Sequence, residues 1–465
     1  MKTIELRTEN VSVLCVLLKT NSMVNTNVKI IEVLQSFLNF VVEDPEIKNL
    51  FTTKPSDFTR NRKLPLKKIA GMLINLPKRS LSIELESFFE SLDESAFCCT
   101  KVAFSLQRIK LKPIFFKVWN DLLVKSFYNF YGNDVKRWEG FRVLAVDGSN
   151  VSVMNVPEVV DHYGSADNQF GGVPMARVME IHDVLNDLTI WGDIFPRKIS
   201  ENAIIAEHIH HLPTDSITLF DRAFPSYHLI YLLANEEIPR HFLMRVKATF
   251  SNKVKDFVAS KKKNLITTIY PSLESIVKLR EHHYIVTKET EIKIRMIKVV
   301  LPDGEIEVLL TNLFDKKIFT LKKMSKLYFM RWKIETTYNK QKNQMQMEIF
   351  SGHRVICIKQ DYAAGLFVAN LQSIIEKQCK EEVQKIVASR RYEYKINRNT
   401  SWAHLKNRIL KLFIQPKDSF TILMEIQRLF VKNIEPVRHG RQVTRTLSKR
   451  KRGKYQTFTN YRRAV

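Results

Sequence analysis

The chain has 465 residues, enough for two or three domains, and its 45% hydrophobic and 26% charged residues are typical of a globular protein. Lys and Arg outnumber Asp and Glu by 74 to 48, and the formal net charge of +26 favours a phosphate-rich partner. A generally basic protein or a membrane-surface binder is the alternative explanation. The longest apolar run, near residues 11–18, is too short to cross a bilayer, and the start lacks a signal-peptide layout. The composition predicts a cytoplasmic protein that acts on nucleic acid.

Residues 1–140 are predicted to be mainly helical. Apolar residues recur at helical spacing over 28–42, and a basic loop punctuated by prolines follows at 55–65. Cations further along this region are candidates for contacts with DNA phosphates: Lys101, Arg108, Lys110 and Lys112. Solvated helix faces explain each of these cations equally well.

From residue 141 the pattern changes to short, branched apolar runs. Residues 141–147 predict a buried strand with Asp147 at its end. Residues 216–221 predict a second buried strand, which ends at Asp221. An Asp at the end of a strand is often only a turn former. The alternation at 176–184 and 188–195 around an Asn-Asp turn predicts a hairpin.

Two helices and a further strand are predicted to complete this region. The helices begin after Ser200 and Ser226, and the strand covers 240–246. Strand, hairpin, helix, strand, helix, strand is the order of a ribonuclease-H-like α/β domain with a mixed sheet of about five strands. Residues 247–315 read as a β-rich insertion, and the sequence leaves open whether its last two runs return to the main sheet.

Potential soft metal ligands are few. The five cysteines include no Cys-x-x-Cys pair, which argues against a zinc finger or a disulfide framework. His208, His210 and His211 lie near Glu207 and would suit a metal site, but their position at a polar helix end favours a surface cluster.

Residues 328–342 contain no Gly or Pro and predict a single helix. Tyr328, Arg331, Glu335 and Lys342 lie three, four and seven residues apart, which places them within roughly 60° of one another on that helix. A carboxylate flanked by cations suits a metal ion that holds phosphate. A surface helix with a Glu–Lys stripe is the alternative.

After residue 350 the sequence predicts further helices over 351–435 and then a basic tail over 436–465. The tail holds ten Lys and Arg residues and no Asp or Glu, with a cluster at Lys449, Arg450, Lys451 and Arg452. Such a tail favours salt-sensitive binding to phosphates without sequence preference, and a solubilising role is the alternative.

The spacing of Tyr328, Arg331, Glu335 and Lys342 resembles the YREK signature of a large family of bacterial insertion-sequence transposases with a DDE catalytic triad. Two shorter motifs agree with this resemblance. Asp147-Gly-Ser resembles the family's first catalytic position.

Asp221-Arg-Ala-Phe resembles the second catalytic position of the family, where Gly and Tyr usually stand in place of Ala223 and Phe224. This departure leaves the carboxylate intact and affects only the local turn. The resemblance extends from about residue 58 to the basic tail.

The resemblance implies an α/β fold with a ribonuclease-H-like mixed-sheet core at 141–350, into which a β-rich insertion is placed at about 247–315. A helical DNA-binding region at 1–140 precedes this core. A helical C-terminal region at 351–435 and the basic tail follow it.

By the same resemblance, Asp147, Asp221 and Glu335 are the catalytic residues and metal ligands, and all-oxygen ligands suit Mg²⁺, with Mn²⁺ as a substitute. Arg331 and Lys342 would clamp phosphate at the cut end. Tyr328 would hydrogen-bond phosphate or brace the helix. The implied partners are double-stranded DNA, as terminal inverted repeats and target, and a second copy of the chain in the DNA complex.

Two other functions are compatible with the same residues. A metal-dependent nuclease of similar fold would cut DNA without joining it. A catalytically inactive DNA-binding derivative is the other alternative, although the presence of all three acids argues against it.

Overall fold

A mixed sheet of nine strands organises the middle of the chain. The structure is a computed structural model that describes residues 26–60, 62–168, 171–235, 238–300, 304–415 and 418–438. The strands of the sheet are β1 Arg142–Ser152, β2 Ser165–Asn168, β3 Gly171–Asp183, β4 Leu188–Pro196, β5 Ser216–Phe220, β6 His241–Val246, β7 Asn264–Ile269, β8 Ile292–Val300 and β9 Ile306–Thr311. The result is a mixed α/β protein.

The strand order is β2-β3-β1-β5-β6-β9-β8-β7, and β4 pairs with β3. The centre is parallel, since β5 pairs in parallel with both β1 and β6, and every residue of β5 is buried. Such burial is expected of a strand covered on both faces and explains its unbroken apolar run. The predicted hairpin is confirmed by the antiparallel pairing of β3 with β4.

The insertion joins the main sheet instead of forming a separate β unit. β9 pairs with β6, β8 with β9 and β7 with β8, all antiparallel, so the sheet is larger than the five strands predicted. Residues 283–287, within the predicted β-rich insertion, do not form a strand. Two helices also lie within the insertion, at Asn252–Ala259 and Leu273–Glu281.

The helices pack on the sheet and on one another. In chain order they are α1 Thr26–Glu43, α2 Pro45–Phe51, α3 Leu66–Ile74, α4 Leu81–Glu90, α5 Lys101–Arg108, α6 Ile114–Tyr131, α7 Pro157–Tyr163, α8 Glu201–Glu207, α9 Tyr227–Ala234, α10 Asn252–Ala259, α11 Leu273–Glu281, α12 Leu321–Phe329, α13 Trp332–Asn343, α14 Val355–Val387, α15 Arg398–Leu405, α16 Arg408–Phe413 and α17 Ser419–Lys432. The predicted helices after Ser200 and Ser226 are α8 and α9, and both serines cap them through their side chains.

Helices from the two ends of the chain share one hydrophobic core. Buried residues of α1 to α6 cluster with buried residues of α14 to α17. At the contact, Trp119 of α6 stacks on Phe367 of α14 with ring centroids 4.4 Å apart. The helical regions predicted before and after the sheet therefore form a single helical layer.

Arg108 does not lie on the surface, where it was a candidate for DNA contact. It is 1% exposed and forms an ion pair with Asp361, Nη2 to Oδ1 2.8 Å, and its Nε donates to Gln360 Oε1 at 2.9 Å. The sequence of α5 does not indicate this buried ion pair, because the face of an amphipathic helix that is buried depends on which element packs against it. Lys101 is exposed, and Lys110 and Lys112 are partly so.

The C-terminal strand β11 Ile434–Val437 pairs with β10 Glu393–Ile396. The first residues of the range 436–465 therefore belong to a strand. Lys449, Arg450, Lys451 and Arg452 lie outside the described residues. None of the described helices is both long enough and apolar enough to span a membrane.

Candidate active site

The register of the parallel strands places Asp147 and Asp221 side by side. The last parallel pair between β1 and β5 is Ala145 with Leu219, and both aspartates lie two residues further along their strands. Asp221 follows β5 directly, but β1 does not end at Asp147 as predicted. It continues to Ser152 because its far edge remains paired with β3. Adjacent strands lie about 4.8 Å apart, so the two carboxylates leave the sheet as neighbours.

Both aspartates face the layer that contains α13. Side chains alternate between the two faces of a strand, so odd-numbered residues of β1 and β5 share one face. One buried cluster joins this face to the helix: Val143, Ala145, Ile217, Leu219, Ile334 and Tyr338. Tyr338 Oη donates to the main-chain oxygen of Asp147 at 2.7 Å. This hydrogen bond fixes α13, which carries Glu335, directly against the first aspartate.

The predicted single helix over 328–342 is two helices, α12 and α13, that meet at Met330 and Arg331. The amide groups of Met330 and Arg331 donate to carbonyl groups three residues back, at 3.0 Å each, so the helix tightens into 3₁₀ geometry at this point. The tightened turn directs Arg331 into the protein, where the residue is 4% exposed.

Arg331 connects two of the three predicted catalytic acids. Its Nη2 donates to Glu335 Oε1 at 2.8 Å, and its Nη1 lies 3.9 Å from Asp147 Oδ2. The Glu335 side chain is 40% exposed, whereas that of Asp147 is 18% exposed. Glu335 therefore lies at the entrance of the site, paired with a cation that also faces the inner carboxylate.

The turn after Asp221 is well formed despite its departure from the family motif. Asp221 Oδ1 accepts from the amide of Ala223 at 2.7 Å, and Asn202 Nδ2 donates to the carbonyl of Ala223 at 2.8 Å. Ala223 is not among the described residues with positive φ, so glycine is not required there. Phe224 is fully buried and anchors the turn in the core.

A fourth carboxylate, that of Glu201, lies at the site, and the sequence prediction missed it. Glu201 is the first residue of α8, and its side chain covers the backbone of Gly148, where an added Cβ would clash with the carboxylate. Arg177 Nε lies 3.6 Å from Glu201 Oε1. The signal available in the sequence was an acid directly after the Ser200 cap, which is too common at helix starts to indicate a site.

Like charges crowd this end of the sheet. Burial raises the pKa of Asp147 to about 7; Arg331 and the amide of Gly148 oppose this shift, and Asp221 and Glu201 add to it. Burial also raises the pKa of Glu201, opposed by Arg177 and assisted by Asp221. A divalent cation would neutralise these carboxylates, and an all-oxygen donor set fits Mg²⁺ or Mn²⁺. The residues present therefore fit such an ion.

The three predicted ligands do not converge on one point. Among the described residues, the ligand atoms of Asp147, Asp221 and Glu335 do not all lie within 4.8 Å of one another. Glu335 is separated from the aspartates because its carboxylate is paired with Arg331.

The other two residues of the Tyr-Arg-Glu-Lys motif, Tyr328 and Lys342, lie around this centre. Tyr328 is 5% exposed, its buried hydroxyl has no hydrogen-bond partner, and burial raises its pKa to about 12. Lys342 Nζ donates to Ser149 Oγ at 2.7 Å and to the carbonyl of Asn150 at 2.6 Å, beside the second half of β1. Lys342 thus lies close to the aspartate strand, whereas Tyr328 is enclosed.

We expect Asp147 to destabilise the metal-free protein as the pH rises. Its pKa is about 7 in the folded protein against an ordinary 3.8, so the stability present below about pH 4 is lost as the pH rises through about 7. Asp147→Asn should therefore raise the free energy of unfolding more at pH 8 than at pH 5, by on the order of 1–3 kcal/mol. Denaturant titration in EDTA measures this difference.

The half-exposed Asp121 of α6, paired with Lys125, provides the matched control. Asp121→Asn removes the same charge and should change the free energy of unfolding by no more than about 0.5 kcal/mol at either pH. If Asp147→Asn stabilises the protein equally at pH 5 and pH 8, the pKa of Asp147 is not raised in the folded protein.

The fold and the site define a mixed α/β protein with a group of carboxylates at the ends of parallel strands. No family model matches the sequence. Over 208 residues the chain is 24% identical to the putative transposase InsZ of Escherichia coli (strain K12), covering 43% of this chain and 67% of that protein. Among solved structures, it is similar to the piggyBac transposase synaptic complex with hairpin DNA, with a TM-score of 0.40, 9% identity and coverage of 92% of this chain and 89% of that one.

Proposed function

We propose that the chain is a DNA transposase that cuts the ends of an insertion sequence and joins them to target DNA at a DDE triad. One observation carries the proposal: Asp147 and Asp221 lie at the same level of adjacent parallel strands and face the helix of Glu335. The similarity to InsZ and the net charge of +26 support the same function. A ribonuclease-H-like arrangement of the core is part of this proposal.

Asp147, Asp221 and Glu335 would hold Mg²⁺, with Mn²⁺ as a substitute. Two divalent ions bound there supply an activated water and stabilise the charge that develops on the phosphate and the leaving oxygen. Glu335 must release Arg331 to act as a ligand, and its partly exposed position allows this with a change of rotamer. Glu201 lies close enough to raise the pKa of Asp147 and would add negative charge beside the same ions.

Once Glu335 has left its salt bridge, Arg331 would lose that carboxylate partner. Its planar guanidinium is then available to bind a phosphate group with two hydrogen bonds, in place of the carboxylate. Lys342 lies beside Ser149 and would exchange one of its hydrogen bonds for a second phosphate oxygen. Tyr328 supports this arrangement from within the protein, since its hydroxyl is buried.

The basic tail would increase DNA affinity without sequence preference. The four consecutive cations Lys449, Arg450, Lys451 and Arg452 would supply positive charge whose attraction to phosphate weakens with salt. An insertion sequence has two ends that must be paired before joining, so we propose that a homodimer assembles on the DNA.

The test is a strand-transfer assay with the full chain. Labelled DNA that carries the segments flanking the coding frame is incubated with Mg²⁺ and a target plasmid. We expect cleavage at the segment ends and labelled plasmid as the joined product, both abolished by EDTA. Cleavage without joined product would assign the nuclease function instead, and absence of cleavage with every flanking segment would overturn the proposal.

A further inference from the structure

Three histidines converge where α8 ends. His208 follows the helix, and His210 and His211 lie in the 3₁₀ turn Ile209–His211. Side chains three residues apart eclipse in 3₁₀ geometry, so His208 and His211 share one face of the turn. In the part of the chain that the structure describes, these three residues are the group whose ligand nitrogen atoms all lie within 4.8 Å of one another.

Two histidines of the cluster are partly buried against the protein, and the third is exposed to solvent. Trp191 of β4 stacks on His211 with ring centroids 5.2 Å apart and contacts His208 at 4.6 Å. His208 Nδ1 is buried and has no hydrogen-bond partner, which leaves a polar atom unsatisfied. His210 is exposed. The cluster therefore combines an exposed imidazole with a buried nitrogen that has no partner.

Charged side chains of both signs surround the cluster. Neutral imidazole is the form that binds metal. Lys117 opposes a cation, but it is paired with Asp193. The carboxylates of Asp193 and Glu207 both act favourably on a positive charge at His208.

We propose that His208, His210 and His211 together bind one zinc ion. Three imidazole nitrogens with water or a carboxylate in the fourth position form a common tetrahedral zinc site with Zn–N distances of about 2.0–2.1 Å. The three nitrogen atoms already lie within 4.8 Å of one another, and binding one ion would require the rings to turn closer together. Imidazole favours zinc over Mg²⁺, so this site differs in chemistry from the carboxylate group at Asp147.

The spacing of the histidines favoured a surface cluster when only the sequence was considered. Partial burial of His208 and His211 against Trp191, together with the unsatisfied nitrogen, changes that interpretation. The ion would stiffen the end of α8, whose first residue is Glu201. The proposed zinc site does not depend on the proposed function.

The test is zinc binding by the full chain after removal of metals with EDTA and dialysis. Isothermal titration with Zn²⁺ is carried out with Mg²⁺ in large excess, so that the carboxylates are already saturated. We expect one zinc per chain and a rise in thermal midpoint on zinc addition. His210→Ala should weaken zinc binding by about tenfold or more, and it preserves the stack on Trp191.

His353→Ala is the matched control, because His353 is an exposed histidine outside the cluster. It should bind zinc as the wild type does. The double variant Asp147→Asn, Asp221→Asn should also retain zinc binding. Equal zinc affinity in the His210→Ala and His353→Ala variants would overturn the proposal, as would the absence of stoichiometric zinc binding to the wild type or the loss of zinc in the aspartate variant.

Discussion

Glu335→Gln is expected to reduce DNA cleavage by at least about 100-fold while DNA affinity stays nearly unchanged. The substitution keeps the size of the side chain and a hydrogen bond to Arg331, but it removes the charge that would bind a metal ion. Even residues behind metal ligands typically cost about 10- to 100-fold when changed, so loss of a ligand should cost no less. Cleavage rates and binding titrations on the same labelled ends separate the two effects.

The control is Glu425→Gln, which removes one carboxylate from an exposed pair with Arg408 on α17. This variant should cut DNA at the wild-type rate. If Glu335→Gln cuts as fast as Glu425→Gln, Glu335 is not a ligand, and its salt bridge with Arg331 is only structural. Loss of DNA affinity equal to the loss of cleavage would likewise argue against a role in the chemical step.

Arg108→Met is expected to lower the free energy of unfolding by about 3–5 kcal/mol, because removing one partner of a buried ion pair leaves a lone buried charge. The remaining charge is that of Asp361, which also accepts from Ser351 Oγ at 2.7 Å. Methionine fills much of the space but donates no hydrogen bond to Gln360. Chemical denaturation monitored by circular dichroism gives the change in stability.

Two companion variants test the cause of this loss. Lys101→Met changes an exposed cation on the same helix and should alter stability by no more than about 0.5 kcal/mol. Arg108→Met combined with Asp361→Leu should be less destabilised than Arg108→Met alone, since no lone charge remains. A cost below about 1 kcal/mol for Arg108→Met, with a marked loss of DNA affinity, would restore Arg108 to the DNA-binding surface.

The elements that the sequence predicted well are those whose cause is local. Ser200 and Ser226 cap α8 and α9 because a short hydroxyl side chain satisfies the first free amides of a helix. The unbroken apolar run of β5 reflects burial on both faces. Alternating residues around the turn at Asp187, which has a positive φ of 60°, were enough to predict the β3–β4 hairpin.

The predictions from sequence were wrong where the local structure depends on contacts with residues far away in the chain. No Gly or Pro marks the tightening at Met330 and Arg331, whose dihedral angles remain helical, so the local pattern predicted one helix. The pairing of β9 with β6 depends on partners far apart in the chain. For the same reason Arg108, 253 residues from Asp361, could not be assigned to the core from its own helix.

At the site, the sequence located two aspartates and a helix but not their environment. Glu201 reaches Gly148 only because α8 packs over the ends of the central strands, and periodicity does not encode that approach. The position of Arg331 between Glu335 and Asp147 likewise depends on the tightened turn. The roles of these residues stay predictions until cleavage is measured.

The helical layer built from both ends of the chain also constrains how the protein is made. The apolar faces of α1 to α6 leave the ribosome before the helices that cover them, α14 to α17, have been synthesised. Closing such distant contacts is slow, and apolar surface exposed meanwhile promotes aggregation. All nine strands of the central sheet precede α14 in the chain, so the sheet can pair before α14 is available to dock against α1 to α6.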